Sequence, residues 1–234
     1  MSRGLRIGFI VLMLALTALF AVLGAWQVER LGEKERLIAT VDDGLASPPV
    51  PLADASDYRP VTIAGSYIPG STVLVFTSLT DARGQHSGPG YWVMTALALD
   101  GGGSVFVNRG FVPQAQGPDF TTAAVPVGRQ ALTGIARNSE SAGSFTPTPD
   151  LANRIDWVRN PARLAAFAAP LPQPLSPLFV DLPAGTPGEL PQGGETVIEF
   201  PNNHLGYAIT WFGFALITPV LLAFWIARQR KGRG

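Results

Sequence analysis

Two long apolar runs lie near opposite ends of the chain, with short alternating segments between them. Ile7–Val28 is 22 residues without a charge, and Leu205–Ala227 is 23. At about 1.5 Å per residue, either crosses a hydrocarbon core of about 30 Å. The pattern predicts two transmembrane helices, over residues 7–28 and 204–227. The first run is longer than the roughly 7–15 apolar residues of a cleaved signal peptide, and it continues into a helical pattern. Leu31, Leu37, Ile38, Val41 and Leu45 keep helical spacing among Glu29, Arg30, Glu33 and Lys34. This extends the helix over 29–45, until Gly44 and Pro48–Pro49 stop it.

From Arg59 onward the period changes. Val61–Ile68, Thr72–Ser78, Gln130–Arg137, Ile155–Val158, Leu178–Leu182 and Thr196–Phe200 read as short strands bounded by turn residues. Tyr91–Leu99, the turn Asp100–Gly103 and Ser104–Phe111 predict a hairpin. One helix interrupts the strands: Asn160 suits an N-cap, Pro161 the first helical position, and Pro170–Pro177 ends it. The expected fold class is an α+β membrane protein. Two transmembrane helices flank a β-rich, barrel- or sandwich-like domain over residues 29–203, with one or two helices of its own.

Charge sets the expected orientation. The sequence has 17 basic and 17 acidic side chains, but residues 1–6 and 228–234 together hold six basic groups and no acid. What lies between has 11 basic against 17 acidic groups, a net of −6. The positive-inside rule then places residues 1–6 and 228–234 in the cytoplasm as short basic tails. Residues 29–203 fall on the far side, which is the periplasm for a protein of the bacterial inner membrane. Without a basic stripe to neutralise phosphates, a nucleic-acid partner is not expected, and the lipid bilayer is.

Candidate chemistry is sparse. The chain has no cysteine and two histidines, which excludes disulfides, thiolate metal sites and c-type haem attachment. His86 lies beside Ser87 in a Gly-Gln-His-Ser-Gly-Pro loop, but loop neighbours point apart and no nucleophile elbow is present, so an enzyme is not expected. Arg109, in Asn108-Arg-Gly-Phe-Val-Pro at a strand end, reads as an edge arginine satisfying local carbonyls, with ligand contact as the alternative. His204 opens the second apolar run, where Asn202 or Asn203 suits a helix cap. Ionisable groups at a span edge are candidate functional groups. Seven residues turn a helix through about 700°, so His204, Ala208, Trp211 and Ala215 share a face. Ala18, Ala21 and Ala25 form a small-residue stripe on the first span. The residues alone leave His204 between a water-bonded interface histidine and a ligand. For a ligand, a lone neutral imidazole suits haem iron better than zinc, because the porphyrin supplies four donors.

Several motifs in order carry a resemblance. They are Leu23-Gly-Ala-Trp-Gln-Val-Glu-Arg, Gly90-Tyr-Trp-Val-Met-Thr, Val107-Asn-Arg-Gly-Phe-Val-Pro, Trp157 in Ile155-Asp-Trp-Val-Arg, and Asn202-Asn-His-Leu-Gly-Tyr-Ala-Ile-Thr-Trp-Phe-Gly. With the two-span layout, the chain resembles the surfeit locus 1 family of cytochrome c oxidase assembly factors. The resemblance implies a membrane protein that binds haem a and aids its insertion into oxidase subunit I. The implied partners are subunit I and haem a synthase. His204 is the implied axial ligand and Trp211 the residue against the macrocycle. The sequence departs from the family at Gly206, where many relatives carry a longer polar residue. A haem-free scaffold that steadies nascent subunit I is the alternative function. The two spans bring His204 to the level of Gln27 and Arg30, which makes Arg30 a candidate propionate partner. The charge pattern also fixes an outcome: a reporter fused after Gly234 is active in the cytoplasm, and one inserted near Gly102 only outside, as paired cytoplasmic and periplasmic reporter activities will show.

Overall fold

The computed structural model of the chain describes residues 2–168, 170–196 and 202–231. Its helices are α1 (Arg3–Ala46), α2 (Gly117–Thr122), α3 (Pro161–Leu164) and α4 (His204–Lys231). Its strands are β1 (Val50–Pro51), β2 (Arg59–Tyr67), β3 (Val73–Leu79), β4 (Gly88–Leu99), β5 (Ser104–Pro113), β6 (Arg129–Asn138), β7 (Ile155–Asp156) and β8 (Leu175–Asp181). The chain divides into two compact units, Met1–Thr40 with Glu199–Gly234, and Val41–Ile198.

The first unit is a pair of helices. The 44 residues of α1 span about 66 Å and the 28 of α4 about 42 Å. Both are long and apolar enough to cross a membrane. Their exposed faces carry Leu14, Val22, Leu216 and Phe224, the opposite of a water-facing helix. The extension beyond the first span is observed as one continuous helix with it, ending at Ala46.

The second unit holds one eight-stranded mixed sheet, ordered β1-β2-β6-β8-β5-β4-β3-β7. A further antiparallel pairing of Gly65, Ser66 and Tyr67 in β2 with Leu99, Ala98 and Leu97 in β4 closes β2, β6, β8, β5 and β4 into a ring. This resolves the barrel-or-sandwich alternative toward a barrel with appended strands. The closure depends on Gly65, where a Cβ would overlap the carbonyl oxygen of Ala98. The expected hairpin forms, with Leu97 opposite Val105 and Ala98 opposite Ser104. Its turn takes Gly102 and Gly103 at positive φ, which glycine adopts without a Cβ penalty.

Side chains alternate between cores. Val61, Ile63, Leu97, Val105, Val107 and Val180 fill one face, the inside of the ring. Val75, Trp92, Met94, Phe106, Phe111 and Phe179 fill the other, covered by Leu164 of α3 and by Phe167. Tyr91, Val93 and Val112 make a smaller cluster with Leu74 under Phe120 of α2. Because β4 and β5 are covered on both faces, their sequences read as nearly continuous apolar runs rather than as strict alternation. The helix after Asn160 starts as expected, with the Asn160 side chain accepting from the Arg163 N–H and Pro161 at the first position, but it is α-helical only to Leu164 and ends in a 3-10 turn over Ala165–Phe167, short of Pro170. The proposed strand Thr196–Phe200 lies outside the described residues except for Thr196, which is not in a strand.

A buried ionic cluster ties β5, β6 and β8 together. Asp181 accepts from Asn108 Nδ2 at 2.9 Å and stands 3.5 Å from Arg137 and 3.6 Å from Arg159. Arg137 also reaches Asp57 and lies over the Tyr58 ring. Arg159 bonds Glu140 at 2.6 Å and lies over Phe179. Nearby, the hydrogen bond to buried Asp156 raises the Arg163 guanidinium above its ordinary pKa, a stabilising contact for the start of α3. Asp181→Ala leaves two largely buried guanidinium groups without their shared anion, so it should cost about 3–5 kcal/mol. Removing the exposed Arg129–Asp100 pair by Arg129→Ala should cost at most about 1 kcal/mol. Thermal unfolding of the purified full chain in detergent, compared between the two variants, checks this ranking.

Candidate functional site

In the helix pair, α4 turns His204, Ala208, Trp211, Ala215, Thr218 and Leu222 inward, alternating steps of four and three. That spacing makes the narrow seam of two closely packed helices. Ala208 is 3% exposed. The matching seam on α1 includes Phe9, Phe20, Gly24 and Gln27. A Cβ at Gly24 would overlap the Phe212 ring, so a larger residue there would have to push that ring aside. Phe20 stacks on Trp211 with ring centroids 5.8 Å apart, and Phe9 meets Trp225 at 4.7 Å.

One polar contact closes the seam at the start of α4. The Nδ1 of His204 lies 2.7 Å from Oε1 of Gln27, whose side chain is buried. An amide oxygen only accepts, so Nδ1 carries the proton and donates. The other ring nitrogen, Nε2, then has its lone pair in the plane of the ring, and no described residue donates to it. Trp211 is two turns further along the same face, half-buried. The donor set is therefore one neutral imidazole nitrogen beside an aromatic seam. It fits a metal whose other ligands arrive with it, such as a haem iron. It does not fit a metal ion held by protein alone; among the described residues no group of three His, Cys, Asp or Glu converges.

Other expectations meet different outcomes. Arg30 is exposed; it bonds Glu33 at 2.7 Å and lies over the Trp26 ring at 5.8 Å. Of the two residues expected at the level of His204, Gln27 bonds the imidazole and Arg30 pairs with Glu33. The Ala18, Ala21 and Ala25 stripe is exposed, away from α4; a quarter-turn separates it from the seam, where Gly24 is the small residue. Neither Asn202 nor Asn203 caps α4 through its side chain among the described contacts: the Asn203 carbonyl accepts from Tyr207, and Asn202 Oδ1 is buried without a partner. A Cβ at Gly206 would meet nothing within 4 Å, so the family departure there faces away from the seam.

In the second unit, Arg109 bonds no carbonyl among the described residues. Its guanidinium lies over the Tyr67 ring at 5.7 Å. Burial pulls its pKa down, partly offset by the Tyr67 phenol, and burial likewise pushes the phenol up. The His86 loop is held through its backbone. The Glu195 carboxylate accepts from the N–H groups of Arg83 and Gly84, and the Gln192 amide bonds both the N–H and the carbonyl of His86. These buried residues were not legible in the sequence, because more than 100 positions separate each from its partner. A cavity of about 910 Å³ adjoins them, bounded by Pro60, Thr133–Ile135, the Arg83–Gln85 loop and the segment 182–196.

Comparison with known proteins places these features in a family. The sequence model of the SURF1 family matches residues 14–216. A SURF1-like protein of Monosiga brevicollis is 36% identical over 228 residues, covering 90% of this chain and 83% of the relative. Surfeit locus protein 1 of Homo sapiens is 29% identical, covering 90% and 74%. A SURF1-like protein of Rickettsia felis is 26% identical, covering 88% and 91%. The match runs from within α1 into α4 and takes in Gln27, His204 and Trp211 along with the whole β domain: the chain belongs to the SURF1 family.

Proposed function

We propose that this protein is a membrane-anchored assembly factor for haem–copper oxidase, not an enzyme, that holds haem a and aids its delivery to subunit I. The observation that carries the reading is the His204–Gln27 pair at the start of an apolar helix, with Nε2 left as a free donor. Residues 29–203 then face the periplasm of a bacterial inner membrane, with both ends of the chain cytoplasmic. The partners are subunit I, haem a synthase and the bilayer.

The physical logic is custody. Haem a supplies the iron, four pyrrole donors and a large apolar surface. His204 contributes one imidazole nitrogen, and the neighbouring apolar seam keeps water from that bond. A single protein ligand suits reversible holding, since release breaks one coordination bond and parts one apolar contact. Trp211 adds an aromatic face on the same side of α4. Arg30, now paired with Glu33, is near enough in sequence to Gln27 to exchange that partner for a propionate at the wet interface.

The variants rank in order. His204→Ala removes the iron ligand but leaves an apolar helix that inserts, so haem occupancy should fall to background. Trp211→Ala should weaken retention about 2- to 10-fold, the equivalent of about 0.5–1.5 kcal/mol of ring contact. Arg30→Ala should change it least. Each variant is co-expressed with the haem a pathway, and the haem-to-protein ratio of purified material is measured with its Soret band. Full occupancy and an unchanged spectrum in His204→Ala would remove this histidine as the ligand and favour a haem-free scaffold for subunit I.

A further inference from the structure

We infer that Gln27 is a positioning residue for the iron ligand: by accepting a hydrogen bond from Nδ1–H of His204, it fixes the tautomer that leaves Nε2 unprotonated for the metal and sets how strongly that nitrogen binds. This rests on the custody reading above and adds to it the residue that tunes the bond.

The geometry is specific. Gln27 is 8% exposed, a buried amide in a helix face otherwise made of Phe20, Gly24 and aliphatic neighbours. A buried amide in an apolar seam is costly unless bonded. Its bond goes to one atom, Nδ1 of His204, at 2.7 Å. A packing role would be met by an aliphatic side chain such as leucine or methionine, which has no amide to desolvate. The amide does what leucine cannot. A neutral imidazole has two tautomers, and only the one with a bare Nε2 can bind iron through that nitrogen. With Oε1 accepting, the proton is confined to Nδ1. A hydrogen bond from Nδ1–H also raises the basicity of Nε2, because it draws the ring toward imidazolate character. A more basic nitrogen favours ferric over ferrous iron, so the acceptor lowers the reduction potential and slows release. Neutrality of the acceptor matters as well. A carboxylate here would strengthen the iron bond further, which opposes delivery; an amide gives orientation with a bond weak enough to break.

The test uses the purified full chain loaded with haem a by co-expression. Two quantities are read: the rate of haem transfer to excess apomyoglobin, and the ferric/ferrous midpoint potential. Gln27→Leu should release haem at least about 10-fold faster and shift the potential upward, in line with the usual loss on removing such an acceptor. Gln27→Glu has nearly the same shape and restores an acceptor; it should release haem no faster than the parent and shift the potential downward. Parental rate and potential in Gln27→Leu, with haem lost in His204→Ala, would overturn the role of Gln27 and leave custody intact. Haem retained with an unchanged spectrum in His204→Ala would instead overturn custody itself. If Gln27→Leu fails to accumulate, the isosteric Gln27→Glu decides: an unchanged potential overturns the inference and a lowered one supports it.

Discussion

Closure of the sheet is the constraint on which the β domain depends. The backbone of β2 bonds β6 along one side and, through Gly65–Tyr67, bonds β4 on the other. A ring of strands removes the open edges that would otherwise invite pairing with other chains. It also creates an inside, and the side chains of Val61, Leu97, Val105 and Val180 occupy it. Once the inside is full, the opposite faces of β4, β5 and β8 still carry Met94, Phe106 and Phe179, which must be covered. That second demand explains α3 and the turn through Phe167, which lie there as a lid on an apolar surface.

Polar groups buried in this domain are held at specific points and are not spread along the strands. Asp181 sits at the end of β8 between two arginines, and each arginine has a second acid, Asp57 or Glu140, at its outer side. Glu195 and Gln192 do similar work for the His86 loop, through backbone N–H groups. These contacts join segments that are remote in sequence, and a buried charge placed this way penalises alternative registers, in which it would be left unpaired. Arg109 differs from them in having an aromatic face rather than a carboxylate as its neighbour.

The helix pair follows a related rule. Its seam is aromatic and small, and among the described residues one side-chain hydrogen bond between the two helices joins Gln27 to His204. Close packing at Gly24 and Ala208 and one directed hydrogen bond fix the registry of the two helices. The same bond orients the imidazole. Registry of the helices and chemistry of the histidine are thereby set by one contact.

The chain's periodicity alone established the two long apolar helices, the continuous extension of α1, the β4–β5 hairpin and the capped start of α3, because each is decided by residues within a few positions of one another. The face shared by His204, Ala208 and Trp211 was legible for the same reason: it needs only the helical repeat. The ring closure was not, since Gly65 meets Ala98 only once strands that are distant in sequence have paired. Which stripe of α1 meets α4 was not legible either: Gly24 and Gln27 are buried while Ala18, Ala21 and Ala25 stay exposed, and a helix apolar all round carries no sign of which stripe its partner will cover. The level of Gln27 beside His204 followed from span lengths, but the bond between them required knowing how α1 is rotated, and that rotation is set by packing against Phe212 and Trp211 rather than by any local preference of the sequence.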